Sequence, residues 1–344
     1  MIDYLIMILL CCFMFLSLMI GAVADESGKH FFNKDNSKAM RGFWCLVVIL
    51  VHVPAMYQNR IQDMIGSFAY IGVTFFFMTS GYGLTISYDK HPESIGLFWR
   101  KRLPKLLLTC WLINIFFAII NHVILGDGIS VLSLFMINEW VKWLLGCYLA
   151  FWIAFKLRNI VNWRIVLALL ITAGSLLAYI LSSKGLVQRT VWATECFGFL
   201  WGMLLGTEYD RFVSLFRKRW LVKLIVSIFI SLVLGIAYLR FKTVVFVGDY
   251  LLKVLLGIAI TMLVLISNVR FSIGNRVSLF LGEISFEIYL IHSRAFGDLA
   301  RILPGVSSGV FIIAGILVAI ISAWIMHILA GYIIRLIYKI PILR

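Results

Sequence analysis

Long apolar runs separated by short polar clusters make up most of this chain. They fall at about 3–23, 39–58, 65–87, 103–125, 131–155, 164–181, 190–206, 220–239, 250–268, 278–297 and 308–336. Runs of about 20 apolar residues are long enough to cross a bilayer as helices. They are continuous rather than alternating, which argues against a β-barrel. An open sheet is excluded because a span must pair its own backbone. The predicted fold is an all-α polytopic membrane protein with about eleven transmembrane helices. The run at 131–155 is the least regular, since Asn138, Glu139 and Lys142 interrupt it.

Composition agrees with the pattern. The 344 residues are 62% hydrophobic and only 14% charged, with a mean hydropathy of +1.00. A soluble domain is nearer half apolar and a quarter charged. The net charge of +15 raises the question of a nucleic-acid partner, but its distribution answers it. Alternate loops, starting with the first and ending with the C-terminus, carry 22 of the 31 Lys and Arg residues. That is the positive-inside asymmetry. It predicts an N-terminus outside, a C-terminus in the cytoplasm and no nucleic-acid partner. Ala22-Val23-Ala24 resembles a signal-peptidase site, yet Asp3 and the lack of Lys or Arg before the run do not suit a secretory leader. The first run is therefore expected to be an uncleaved anchor. All six cysteines lie in apolar runs without C-x-x-C spacing, so neither disulfides nor a metal site is expected.

Ionisable groups inside spans are costly and mark functional positions by default. Arg41 and His52 stand eleven positions apart, with no charge between them. On one continuous helix that spacing gives a shared face, roughly 16 Å from end to end. A topology anchor and an interhelical hydrogen bonder are the plain alternatives. The run Phe75-Phe76-Phe77 leads to Ser80-Gly81, which suits close helix packing or a narrow ligand arm. Arg100, Lys101, Arg102 and Lys105 surround Pro104, which is expected in an early helical turn. This basic group can hold phosphates, hold anionic lipid, or anchor the helix. Late in the chain, Glu283 and Glu287 are four apart and share a helix face, with Tyr289 and His292 beyond them. Counted from their span starts, His52 and His292 reach similar depths of roughly 20 Å, and Glu283 or Glu287 comes near Arg41. Near the outer face lie Asn121, His122, Asp127, Glu139, Trp140 and Glu195, a set that offers a carbohydrate both hydrogen bonds and stacking.

Taken in order, these motifs resemble the membrane acyltransferase-3 family of bacterial cell-envelope enzymes. The resemblance rests on Arg41-x10-His52, Phe75-Phe76-Phe77 through Ser80-Gly81-Tyr82, Phe98 through Lys105, and Gly282-x-x-Ser285-x-x-x-Tyr289-Leu290-x-His292. Trp192 to Gly206, with Gly198, Gly202 and Gly206, resembles a later helix of that core. It implies a ten-helix core over about 36–344, preceded at 1–35 by one extra anchor helix and its loop. It also implies a stand-alone form, with no hydrolase-like domain after the core. Lys105 departs from the family, where a second Arg is common, which weakens bidentate phosphate binding there.

The resemblance further implies an O-acyltransferase of the cytoplasmic membrane. Its donor is acyl-CoA, in the first place acetyl-CoA. Its acceptor is a hydroxyl of an envelope polysaccharide or lipid-linked glycan. Arg41 and His52 map to the catalytic motif, and Arg100, Arg102, Lys105, Ser80 and Gly81 to the donor side. Glu283, Glu287, Tyr289 and His292 are secondary candidates. His52 acts either as general base or as an acyl relay. A proton-coupled transporter or flippase is the competing class, although neither an inverted repeat nor a pair of matching broken helices is visible.

Overall fold

The computed structural model describes residues 2–187 and 192–338. These form α1 (Ile2–Met19), α2 (Lys34–Ile49), α3 (Arg60–Gly66), α4 (Ala69–Lys90), α5 (Phe98–Leu125), α6 (Val131–Leu134), α7 (Glu139–Lys156) and α8 (Trp163–Ser183). They continue as α9 (Trp192–Glu195), α10 (Phe197–Thr207), α11 (Tyr209–Arg217), α12 (Trp220–Phe241), α13 (Lys253–Asn268), α14 (Arg276–Glu283), α15 (Ser285–Ile302) and α16 (Ser308–Ile337). The only strands among the described residues are Val23–Ala24 and Phe271–Ser272, paired antiparallel with Val23 opposite Ser272. The protein is an all-α polytopic membrane protein. Seven helical stretches are long and apolar enough to cross a membrane: Ile2–Met19, Arg60–Lys90, Pro92–Leu125, Trp163–Ser183, Trp220–Phe241, Val247–Asn268 and Ser308–Ile337.

The remaining predicted spans are interrupted helices, and the interruptions shape the centre of the molecule. The run at 39–58 is not one helix. α2 ends at Ile49, and short 3-10 turns follow at Leu50–His52 and Ala55–Tyr57. Pro54 explains the stop: it disfavours helical backbone at the preceding residue and cannot donate a backbone hydrogen bond. The freed Leu50 carbonyl accepts a hydrogen bond from Gln62 Nε2 of α3. Arg41 and His52 therefore do not share a face of one continuous α-helix.

The run at 131–155 also breaks. α6 and the segment 135–138 lie along the middle of α5, where Asn114 Nδ2 donates to the Leu134 and Met136 carbonyls at 3.0 and 2.8 Å. Trp111 Nε1 donates to the Phe135 carbonyl at 3.1 Å. Irregular backbone at membrane depth needs such partners. The run at 190–206 begins at two residues outside the described ones and continues as α9 and α10. The run at 278–297 divides at Ile284 into α14 and α15, so Glu283 and Glu287 sit on successive helices.

Two glycine crossings set the central packing. α10 lies on α4 with Gly198 and Gly202 against the Thr74 and Met78 carbonyls, where a Cβ would overlap those oxygens. Glycines four apart stack on one helix face, so one stripe permits this approach. At the second crossing, Gly282 of α14 meets the Lys38 carbonyl of α2, and Gly42 meets the Gly282 backbone. α1 joins this body. Asp3 Oδ1 accepts from the Gly309 N–H at 2.8 Å, and the β pair ties the chain after α1 to the α13–α14 connection.

Pro104 is the seventh residue of α5 rather than an early-turn residue, because α5 already begins at Phe98. Proline leaves the carbonyl four residues earlier without its helical donor. That carbonyl belongs to Arg100, and the Tyr338 hydroxyl donates to it at 3.1 Å.

Candidate active site

Arg41 leaves α2 one residue before Gly42, which packs on the Gly282 backbone of α14. It points into a cavity of about 310 Å³ between α2, α4, α5, α7 and α15. Ser80, Lys101, Arg102, Lys105, Trp140 and Tyr148 are among its lining residues. Four of the predicted site residues, Arg41, Ser80, Arg102 and Lys105, are thus brought together from three separate helices. Lys101 and Lys105 are exposed while Arg102 and Arg41 are half-buried, so positive charge extends inward from the surface. The Nε atoms of Arg41 and Arg102 are buried and have no hydrogen-bond partner among the described residues. Buried donors are nearly always satisfied, so two such groups in one cavity fit an anionic or polar ligand.

Not every predicted donor-side residue faces this space. Arg100 is not among the lining residues. Gly81 turns away from the cavity and packs on the Phe199 carbonyl of α10, so its small size serves helix packing.

His52 lies elsewhere. Its exposed ring sits edgewise on the buried ring of His292, with centroids 4.6 Å apart. The equal depth read from the sequence is therefore a direct contact, although the helix expected to deliver His52 has already ended. His292 Nδ1 donates to the Ile288 carbonyl at 3.0 Å, which leaves Nε2 as an acceptor. Nε2 is buried without a partner among the described residues. Tyr289 flanks His292 at 5.6 Å and Trp140 at 4.5 Å between centroids. Rings of Trp140 and Tyr289 thus separate the cationic cavity from the histidine pair. Trp140, expected at the outer interface, is a buried wall of that cavity.

The acidic candidates have other partners. Glu283 pairs with Lys38. Glu287 is buried and its Oε1 lies 3.0 Å from His327 Nδ1. His327 Nε2 is also 3.9 Å from Glu283, so both carboxylates reach one imidazole across the helix break. Neither forms an ion pair with Arg41 within 4.0 Å. The sequence reading missed His327, which stands alone in the long apolar helix α16 and so has no local pattern to mark it. It also missed Tyr148, which lines the cavity together with Ser80.

Most of the predicted outer polar groups already have protein partners. Asn121 Nδ2 donates to Asp298 at 3.1 Å, and His122 Nδ1 donates to the Asp127 carbonyl at 2.8 Å. Arg301 grips Asp127 with two hydrogen bonds of 2.6 and 2.8 Å. Those bonds hold the Asp127 carboxyl below its usual range. Glu139 pairs with Lys142, and the buried Glu195 with Lys253 at 2.5 Å.

Fold and site define a polytopic α-helical membrane protein with a cationic cavity near a histidine pair. A family model described as an acyltransferase domain matches residues 35–328, so the chain belongs to the acyltransferase-3 family and is a membrane acyltransferase. The extra helix α1 precedes the matched segment. No curated protein and no solved structure matches the chain.

Proposed function

We propose that the protein is an O-acyltransferase of the cytoplasmic membrane that moves an acyl group, acetyl in the first place, from acyl-CoA to a hydroxyl of an envelope glycan or lipid-linked saccharide. The observation that carries this reading is the cationic cavity, whose Arg41 and Arg102 each have a guanidinium nitrogen without a partner among the described residues. The excess of basic loops supports an orientation with the Arg41 end in the cytoplasm, the side that supplies acyl-CoA, and the N-terminus outside. Lys101, Arg102 and Lys105 hold the donor's phosphates, and Arg41 and Ser80 line the way for its narrow arm. Lipid phosphate is a weaker fit, since the charge leads inward to buried nitrogens rather than spreading over the membrane surface.

The chemistry follows from the histidine pair. The acceptor oxygen attacks the thioester carbonyl, forming the C–O bond, while His52 takes the hydroxyl proton. The C–S bond then breaks, and the proton passes to the departing thiolate. His292, whose Nδ1–H is held by the Ile288 carbonyl, steadies the His52 ring through their T-shaped contact. Trp140 and Tyr289 must turn aside for the thioester to reach His52. Arg41 stays protonated and serves as a positioning charge rather than a proton carrier.

The test is transfer of radiolabelled acetyl from acetyl-CoA to envelope glycan by purified protein in vesicles. His52→Ala is expected to lower transfer by about 10²–10⁴-fold, the usual worth of a general base. Wild-type rates from that variant would remove His52 from the mechanism. Movement of label across the vesicle membrane without covalent transfer would replace the enzyme with a transporter.

A further inference from the structure

A second polar cavity, of about 690 Å³, opens between α8, α9, α12 and α13. Its walls carry Tyr179, Ser182, Ser183, Thr243 and Asp249, with Lys242 and Lys253 beside them. Hydroxyl groups therefore dominate where guanidinium and ammonium groups dominate the first cavity. Among the described residues the positive charge is largely balanced: Lys253 is paired with the buried Glu195, and Asp249 faces the same space as Lys242. A polyanion gains little from such a wall, whereas a neutral polyol finds both donors and acceptors.

One wall is held in a strained shape. Phe246 has a φ of +65°, rare for a bulky residue. Its N–H donates to both Asp249 Oδ1 and the Tyr179 hydroxyl, at 2.8 and 2.7 Å, and that hydroxyl donates to Asp249 at 2.8 Å. The Asp249 carboxylate is thereby fixed in direction before any ligand arrives. Backbone strain of this kind persists where the surroundings over-determine it, commonly at ligand sites.

The position relative to the histidines completes the case. Lys253 sits over the Tyr70 ring at 5.0 Å, close to the start of α4. Ser80 of the cationic cavity lies ten residues further along α4, roughly 15 Å away. The two cavities thus occupy different levels of one helix. Trp192, on the same short helix α9 as Glu195, donates to the Tyr289 hydroxyl at 3.3 Å, and Tyr289 flanks His292. A chain of contacts thus runs from the α9–α13 wall of the second cavity, where Glu195 holds Lys253, to Tyr289 and the histidine pair.

We propose that this cavity is the acceptor seat and that it binds an uncharged, polyhydroxylated saccharide unit. The assignment rests on the acyl-transfer reading above. It is tested with Thr243→Trp and Ser183→Trp, which fill the cavity from exposed positions, and with Asp249→Asn. Each purified variant is assayed for retention of labelled acetyl-CoA and for acetyl incorporated into envelope glycan. Glycan mass is read in parallel from cells carrying each variant.

The expected result is a loss of incorporation of about tenfold or more, the scale of one or two hydrogen bonds, with acetyl-CoA retention unchanged. Unchanged retention also shows that the variant has folded. Wild-type incorporation in both tryptophan variants overturns the seat, as it would if the cavity merely held lipid headgroups. A wild-type protein that retains no acetyl-CoA overturns the donor reading instead, and the cavity then stands or falls on the glycan masses. Cells whose glycans are identical with and without the wild-type protein overturn both.

Discussion

The cavity lined by Arg41, Arg102 and Lys105 and the cavity lined by Tyr179, Thr243 and Asp249 lie at different levels of α4 and differ in the state of their polar groups. In the first, positive charge accumulates without a carboxylate on the wall, and two guanidinium nitrogens have no partner among the described residues. In the second, among the described residues, Lys253 is paired with Glu195, and the Asp249 carboxylate that shares the wall with Lys242 is already oriented by a strained turn. A wall of unbalanced charge selects for charge. A wall of balanced, directed hydroxyls selects for shape and hydrogen-bond pattern. Trp140 of the first wall packs on Tyr289, and Tyr289 flanks the His52–His292 pair.

Several variants would break or sharpen that contrast. The largest effect is expected from Arg102→Ala, since losing a charge-assisted contact costs about 1.5–3 kcal/mol, or roughly 10- to 100-fold. It should appear as a raised acetyl-CoA KM in steady-state transfer assays. Lys242→Gln in the other cavity should leave that KM within about threefold, because an exposed, balanced charge contributes little. Equal effects from the two substitutions would erase the distinction between the cavities.

A comparable loss of about 10- to 100-fold is expected from His292→Phe, in kcat rather than in donor KM, because a misdirected His52 is a misplaced reacting group. A change confined to KM would make His292 part of a binding wall.

Next is Gly202→Ala, which forces α10 away from the Met78 carbonyl. Overpacking of this kind costs about 1–3 kcal/mol and should lower the thermal midpoint in detergent. It should weaken both sites together, because α4 borders one and reaches the edge of the other.

The smallest effect is expected from Asp127→Asn at the outer surface, which should leave transfer within about twofold at neutral pH. Arg301 holds the Asp127 carboxyl low, so stability from this pair is present above about pH 4 and is lost only as pH falls through the lowered value. A pH-dependent melting series comparing wild type with Asp127→Asn checks the sign.

The molecule was partly legible before folding, and for identifiable reasons. Arg41, Arg102 and Lys105 stood out because charge in an apolar context is visible residue by residue. His52 and His292 were matched by depth, and they touch. The helix carrying Arg41 to His52 was misread because periodicity was followed through Pro54, whose stop signal is local and was available. Gly81 was assigned to a ligand because a small residue has the same signature whether it clears space for a substrate or for a neighbouring backbone. Only the Phe199 carbonyl against it distinguishes the two. His327 had no signature at all, since its partner Glu287 is forty positions away.

By itself the sequence determined the quantities that accumulate along the chain: apolar runs long enough to require helices, the uneven distribution of basic residues, and motifs whose order identifies an acyltransferase-3 core. Tertiary structure decided which polar groups meet. It closed Glu283 onto Lys38 and Asp127 onto Arg301, left Arg41 and Arg102 facing a cavity, and put His52 on His292 after its helix had ended. The physical reason is the range of the forces involved. Hydrophobic transfer acts on each segment separately, whereas hydrogen bonds and ion pairs act over a few ångströms and depend on helices that only packing brings together.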